Sequence, residues 1–120
     1  MNAITPEAQA YIGSFTPDMQ TRLLSLVDIH QRHCKGWPID LKYGMLRFVL
    51  PRTQTTREAF FAGVFKNHIG FYPVYLIPSL EEDIKPFRTP GTKDSLRFLH
   101  TQPMPERLID AIFKAKCGLS

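Results

Sequence analysis

A chain of 120 residues, with 43% apolar and 22% charged side chains, has the make-up of one globular domain; this excludes intrinsic disorder and a second domain of ordinary size. The net charge of +4 directs attention to anionic partners. Its fifteen Lys and Arg residues are scattered from Arg22 to Lys116 without a basic run, so a dedicated nucleic-acid interface is not expected. No apolar run approaches the ~20 residues that span a bilayer, which excludes a membrane partner of that kind.

In chain order, Thr5-Pro6 predicts the first helix: a hydroxyl at the N-cap, then a proline whose missing N–H does no harm. It ends near Gly13. Thr16-Pro17 repeats the device, with Asp18 complementing the helix dipole. In this second helix Met19, Leu23, Leu26, Val27 and His30 recur at spacings of three and four, predicting one buried face. Lys35-Gly36 ends it.

Strand patterns follow. Ile39–Tyr43 and Leu46–Leu50 flank Gly44-Met45, and the polar stretch Pro51–Arg57 predicts an exposed loop. Two apolar segments, Ala59–Phe65 and Ile69–Tyr75, are joined by Lys66-Asn67-His68. Read as a three-residue hairpin loop, this junction sets Phe65 opposite Ile69, Gly63 opposite Phe71 and Phe61 opposite Pro73. The second face then carries Phe60, Ala62, Val64, Tyr72 and Val74. Ser79 and Glu82 form a capping box for a short helix ending near Pro86. Arg88–Asp94 predicts a loop and Ser95–Leu99 a last strand. Pro103-Met104-Pro105 introduces a final helix with Leu108, Ile109, Ile112, Phe113 and Ala115 on its apolar face. The order ααββββαβα predicts an α+β fold, a two-layer sandwich with an antiparallel sheet of about five strands and helices packed on one side.

Cys34 and Cys117 are far apart and belong to no C-x-x-C pair. Read as isolated thiols, and with a start (MNAITPEAQAYIGSF) lacking a basic n-region and an apolar h-region, they predict a reducing, cytoplasmic setting.

The segment FKNHIGFYP at Phe65–Pro73 resembles the signature of the YdhG-like family of small bacterial proteins, a domain of unknown function. AYIGSFTPDMQTRL near the start, LKYGM at Leu41–Met45, LRF at Leu96–Phe98 and PMPERLIDAIFKAK at the end agree in order, so the resemblance spans nearly the whole chain, residues 1–120, as one domain. Two positions depart from the pattern. Leu46 follows Tyr-Gly-Met where proline is common, and Lys93-Asp94-Ser95 stands where Lys-Gly-Thr is usual. The resemblance implies a frataxin-like two-layer fold of about five antiparallel strands and no established reaction, although some relatives are labelled iron chaperones.

The residues point to binding and not to catalysis. There is no G-x-S-x-G elbow, no H-E-x-x-H and no phosphate-cradling glycine motif, and nothing calls for a cofactor. A hairpin apolar on both faces, with helices expected on one, leaves the other for a ligand groove or a partner. Lys42, Tyr43, Lys66, Asn67, His68, Tyr72 and Arg97 are the expected polar anchors for a small anionic ligand there, with a protein partner or a second copy of the chain as the other occupants. The alternative is an iron chaperone using the Glu81-Glu82-Asp83 run or histidines, since hard cations take oxygen ligands; the net positive charge opposes it. His30 and Cys34, four apart on a helix, share a face and could meet one metal, or could line the core.

Overall fold

The computed structural model describes residues 3–51 and 59–117, with the side chain of Cys117 outside that description. The expected loop at Pro51–Arg57 lies outside the described residues apart from Pro51. The element order is α1 (Pro6–Gly13), α2 (Pro17–His33), β1 (Ile39–Lys42), β2 (Met45–Val49), β3 (Ala59–Val64), β4 (His68–Tyr72), α3 (Glu81–Ile84), a 3-10 turn (Lys85–Phe87), β5 (Leu96–Leu99) and α4 (Glu106–Cys117).

Both threonine caps form. Thr5 Oγ1 accepts the Ala8 N–H and Thr16 Oγ1 the Met19 N–H, each at 3.3 Å, with proline at the head of each helix. These bonds satisfy N–H groups that the helix itself leaves unpaired. Past α2 the chain reverses through Gly36, whose φ of +85° suits a residue without Cβ.

The five strands form one antiparallel sheet in the order β1-β2-β3-β4-β5. Inward-facing Leu46, Phe48, Phe60, Ala62, Ile69, Phe71, Leu96 and Phe98 are buried together with Ala8, Ile12, Leu23, Leu26, Ile109, Ile112 and Phe113 from the helices. The helices therefore cover one face of the sheet, as a two-layer α+β sandwich requires. Phe113 of α4 sits at the centre, its ring 5.2 Å from Phe60, 5.8 Å from Phe71 and 5.9 Å from Phe48. Each fully buried ring of this kind contributes roughly 1.5–3 kcal/mol by leaving water.

Four expectations are corrected. The β3–β4 loop is Lys66-Asn67 alone, because the Phe65 N–H already donates to the His68 carbonyl at 2.8 Å and pairs those two residues. The register then runs Phe61↔Tyr72, Ala62↔Phe71, Gly63↔Gly70 and Val64↔Ile69. A slip of one residue moves a strand's side chains to the other face relative to its neighbour, so Tyr72 joins Phe61; Phe60, Ala62 and Val74, expected in an exposed patch, lie in the core and Val64 packs against it, because the helices cover their face. β4 stops at Tyr72 and not Tyr75, since Pro73 has no N–H for the ladder; the Tyr72–Pro73 peptide is cis.

Ser79 does not cap α3. A turn closed by Leu80 N–H on the Ile77 carbonyl (2.8 Å) delays the helix, and Leu80 stands at its N-cap without a side-chain bond. Cys34 is disulfide-bonded where an isolated thiol was expected. It caps α2, and the other cysteine of the sequence, Cys117, is the last residue of α4, the helix against which α2 packs. Disulfides persist mainly in oxidising settings, so the cysteines no longer argue for a reducing compartment. Among the described residues no helix is long and apolar enough to cross a membrane.

Candidate functional site on the open sheet face

Beyond the Val49–Ala59 pair, whose Val49 is buried, strand alternation puts Asp40, Lys42, Met45, Arg47, Phe61, Gly63, His68, Gly70, Tyr72, Arg97 and Leu99 on the face away from the helices. Registered across the strands, they fall into three rows. The first runs Asp40–Arg47–Phe61–Tyr72, the second Lys42–Met45–Gly63–Gly70–Arg97, and the third joins Phe65, His68 and Leu99.

The first row holds most of the ring surface. Phe61 stacks on Tyr72 with centroids 5.9 Å apart and planes at 27°. Tyr43, 76% exposed in the β1–β2 turn, brings its ring to 5.8 Å from Phe61. Tyr43 and Gly44 both have positive φ, +57° and +73°. A two-residue hairpin with both central residues left-handed matches the twist of its strands, and Asn-Gly is the usual choice there. Tyrosine in the first position is uncommon, and here it projects a ring over the open face. Arg47 is occupied: Nε and Nη2 donate to the two carboxylate oxygens of Asp40 at 2.8 and 2.6 Å. The two-pronged pairing holds the Arg47 guanidinium above its ordinary value, mainly through the hydrogen bonds it donates to Asp40.

The middle row carries a glycine pair, Gly63 and Gly70. A Cβ on Gly63 would come within 2.8 Å of Met45 Cγ, and one on Gly70 within 3.0 Å of Phe65 Cε2. Met45 and the Phe65 ring thus lie over the glycine pair, an aromatic repair of the gap that glycines leave. Tyr72 O–H reaches Met45 Sδ at 3.6 Å. Phe65 stacks in turn on His68, at 5.2 Å and 21°. The His68 imidazole is held below its ordinary value by desolvation first, then by the positive charge of Arg97 and by His100. A neutral, stacked imidazole presents a flat face as an aromatic ring does.

Of the expected anchors, Tyr72, His68, Arg97, Lys42 and Tyr43 share this face, with Lys42 Nζ 5.3 Å from the Tyr43 ring centre. Lys66 and Asn67 stand exposed at the hairpin tip beyond its edge. The tip is braced by His100, whose Nε2–H donates to the Phe65 carbonyl at 2.8 Å and whose backbone N–H donates to the Asn67 carbonyl at 3.0 Å. Met45, Phe61 and Phe65 escaped sequence reasoning, because the one-residue register error put Phe61 and Tyr72 on opposite faces. The signal that would have found them is the parity of a two-residue loop.

Several of the metal candidates are otherwise engaged. His30 is fully buried between Phe48 and Phe113 (5.5 and 5.6 Å). Its Nε2–H donates to the Val49 carbonyl at 2.8 Å, and its Nδ1 accepts from the Gln31 amide at 2.9 Å. Both nitrogens are thus used, and desolvation keeps the ring neutral. His33 bonds Asp110 at 2.8 Å. Glu81 is clasped by Arg88 at 2.9 and 3.1 Å, and that hydrogen bond is the main cause holding its carboxyl below the usual range. Among the described residues no group of three or more His, Cys, Asp or Glu side chains is placed to share a cation.

Two open clefts lie off the sheet face. One of about 570 Å³ separates Leu80, Asp83 and Phe87 from the start of α4. The other, about 640 Å³, lies between Tyr75 and Leu76 and the Thr89–Lys93 loop. Arg88 walls the second, but its guanidinium is spent on Glu81 and the Val74 carbonyl.

Compared with family models, curated proteins and solved structures, the chain matches none.

Proposed function

We propose that the chain is a non-enzymatic binding domain that takes a small anionic ligand bearing a planar ring on the open face of its sheet. The observation that carries this reading is the concentration of Tyr43, Phe61 and Tyr72 rings on the face that no described helix covers, with Lys42 and Arg97 exposed beside them. Flat apolar rings offer stacking to any planar group. A cation beside them attracts a phosphate or carboxylate. Among the described strands and hairpin turns Asp40 is the sole acid, and Arg47 already neutralises it. The resemblance to the YdhG-like family supplies no reaction that competes with this reading.

The test uses adenosine monophosphate, which joins a planar base to a phosphate, followed through the backbone amide signals of the isotope-labelled protein. Saturable shifts at Lys42, Phe61, Tyr72 and Arg97, absent in Arg97→Ala and Phe61→Ala, are expected. Shifts confined to Tyr75–Lys93, or none at millimolar ligand, defeat the proposal.

A further inference from the structure

We propose that the ligand of this face is a single-stranded RNA segment of several nucleotides, laid across the strands from β1 to β5. The inference rests on the binding reading above and extends it from one ring and one charge to a chain of them.

Three observations carry it. The first is distance. Lys42 and Arg97 occupy the same row at opposite edges of the sheet, four strand spacings apart, which is about 19 Å at ~4.8 Å per spacing. Among the described residues neither has a salt-bridge partner. One mononucleotide cannot place a phosphate against both, whereas a strand with a phosphate at every residue can.

The second is the arrangement of rings. The Phe61–Tyr72 stack and the Phe65–His68 stack flank the Lys42–Arg97 row on either side. Two separate flat platforms, with a cation at each end of the row that runs between them, suit successive bases and their linking backbone, because every base has a face to stack and every linkage a charge.

The third is charge segregation. The fold sorts the acids more than the bases. The described strands and their hairpin tips carry Lys42, Arg47, Lys66 and Arg97 against Asp40 alone, while Glu7, Asp18, Asp28, Glu81, Glu82, Asp83, Glu106 and Asp110 lie on helices, with Arg22, Arg32, Arg107, Lys114 and Lys116, and Asp94 in the turn before β5. The scatter that argued against a nucleic-acid interface in one dimension is therefore a positive face in three. Rim groups that both donate and accept, Asn67 at the hairpin tip and the Tyr72 hydroxyl, favour RNA, whose 2′-OH does the same.

The experiment is fluorescence anisotropy with a labelled uridine octaribonucleotide, its deoxy counterpart, a duplex of equal length, and adenosine monophosphate as competitor. The ribo-octamer is expected to bind at least tenfold more tightly than the mononucleotide. Phe61→Ala, checked for folding by its amide spectrum, should weaken it about tenfold. The exposed Arg97→Ala, which removes no core contact, should lower the slope of log affinity against log salt by about 0.7. An octamer no tighter than the mononucleotide overturns the strand inference and leaves the proposed function standing. Equal binding of duplex with no loss in Phe61→Ala also overturns it, as unspecific charge attraction. Equal binding of the deoxy octamer overturns the assignment to RNA. No binding of mononucleotide or octamer, or a solution dimer whose amide signals show this face buried, overturns both readings.

Discussion

Phe60 and Phe61 are neighbours in β3 and point to opposite faces of the same sheet, yet they serve different ends. Phe60 is 1% exposed and meets Phe71 at 4.9 Å and Phe113 at 5.2 Å. Phe61 is partly exposed, stacks on the partly exposed Tyr72 and meets the exposed ring of Tyr43 at a tilt. On the inner face aromatic area is removed from water by the protein's own helices. On the outer face it is left uncovered by any described helix. A sheet that needed only to fold would carry polar residues there, as antiparallel sheets with one solvated face usually do. The difference between the faces is the strongest sign of function in the molecule.

Paired truncations give the largest expected effect. Phe113→Ala should cost about 3–5 kcal/mol, since it leaves a cavity amid Phe48, Phe60 and Phe71. Phe61→Ala should cost less than about 1 kcal/mol, because its ring is already partly in water. Urea unfolding of both variants, read alongside ligand titration, separates the roles. Comparable losses of stability would make the outer rings structural and remove the contrast.

Two histidines of different burial sharpen it next. His30 is buried and His68 lies on the open face, and both are held below the ordinary histidine value, in each case mainly by desolvation. A histidine whose folded value is lowered binds fewer protons folded than unfolded. Stability is therefore full above the unfolded value of about 6.5 and falls as the pH drops below it. The loss should be steeper through His30, which is fully buried and whose Nδ1 must stay unprotonated to accept from the Gln31 amide. His68→Gln should leave most of the acid sensitivity in place. Equilibrium unfolding from pH 7.5 to 5.5 checks this, and a flat profile would mean that His30 protonates without disturbing the core.

How far these faces were legible in sequence depends on what kind of signal each carries. The helix starts at Thr5-Pro6 and Thr16-Pro17 were read correctly because capping is local, a hydroxyl and an N–H three residues apart. The order of elements and the α+β sandwich followed from punctuation by Gly and Pro. The facing of β3 against β4 was not legible. AFFAGVF and IGFYPVY are apolar on both alternations, so periodicity cannot choose between registers, and the choice falls to a single hydrogen bond between Phe65 and His68. Ser79 failed as a cap for a related reason: the turn closing at Leu80 moved the helix start by one residue. Of the expected anchors, Tyr72, His68 and Arg97 were named from sequence, while Phe61 and Phe65 depended on the register and were lost with it.

The smallest expected effect lies at Tyr43, where stability and binding should move in opposite directions. Its φ of +57° is a conformation that L-residues with a large side chain seldom adopt, and Gly44 beside it at +73° makes the turn one that Asn-Gly fits best. Tyr43→Asn should therefore stabilise the protein by about 0.5–1 kcal/mol through relief at the backbone. The loss on the other side is small, because the Tyr43 ring is mostly exposed and contributes only its edge of contact with Phe61 and Lys42. The same change removes one of the three rings of the first row and should weaken adenosine monophosphate binding several-fold. Chemical denaturation and the amide titration, run on one preparation, measure both. A gain in stability with weaker binding is the mark of a residue kept for the ligand at the backbone's expense. A loss in both would assign the ring to holding the β1–β2 turn, and the outer face would then have one platform fewer to offer.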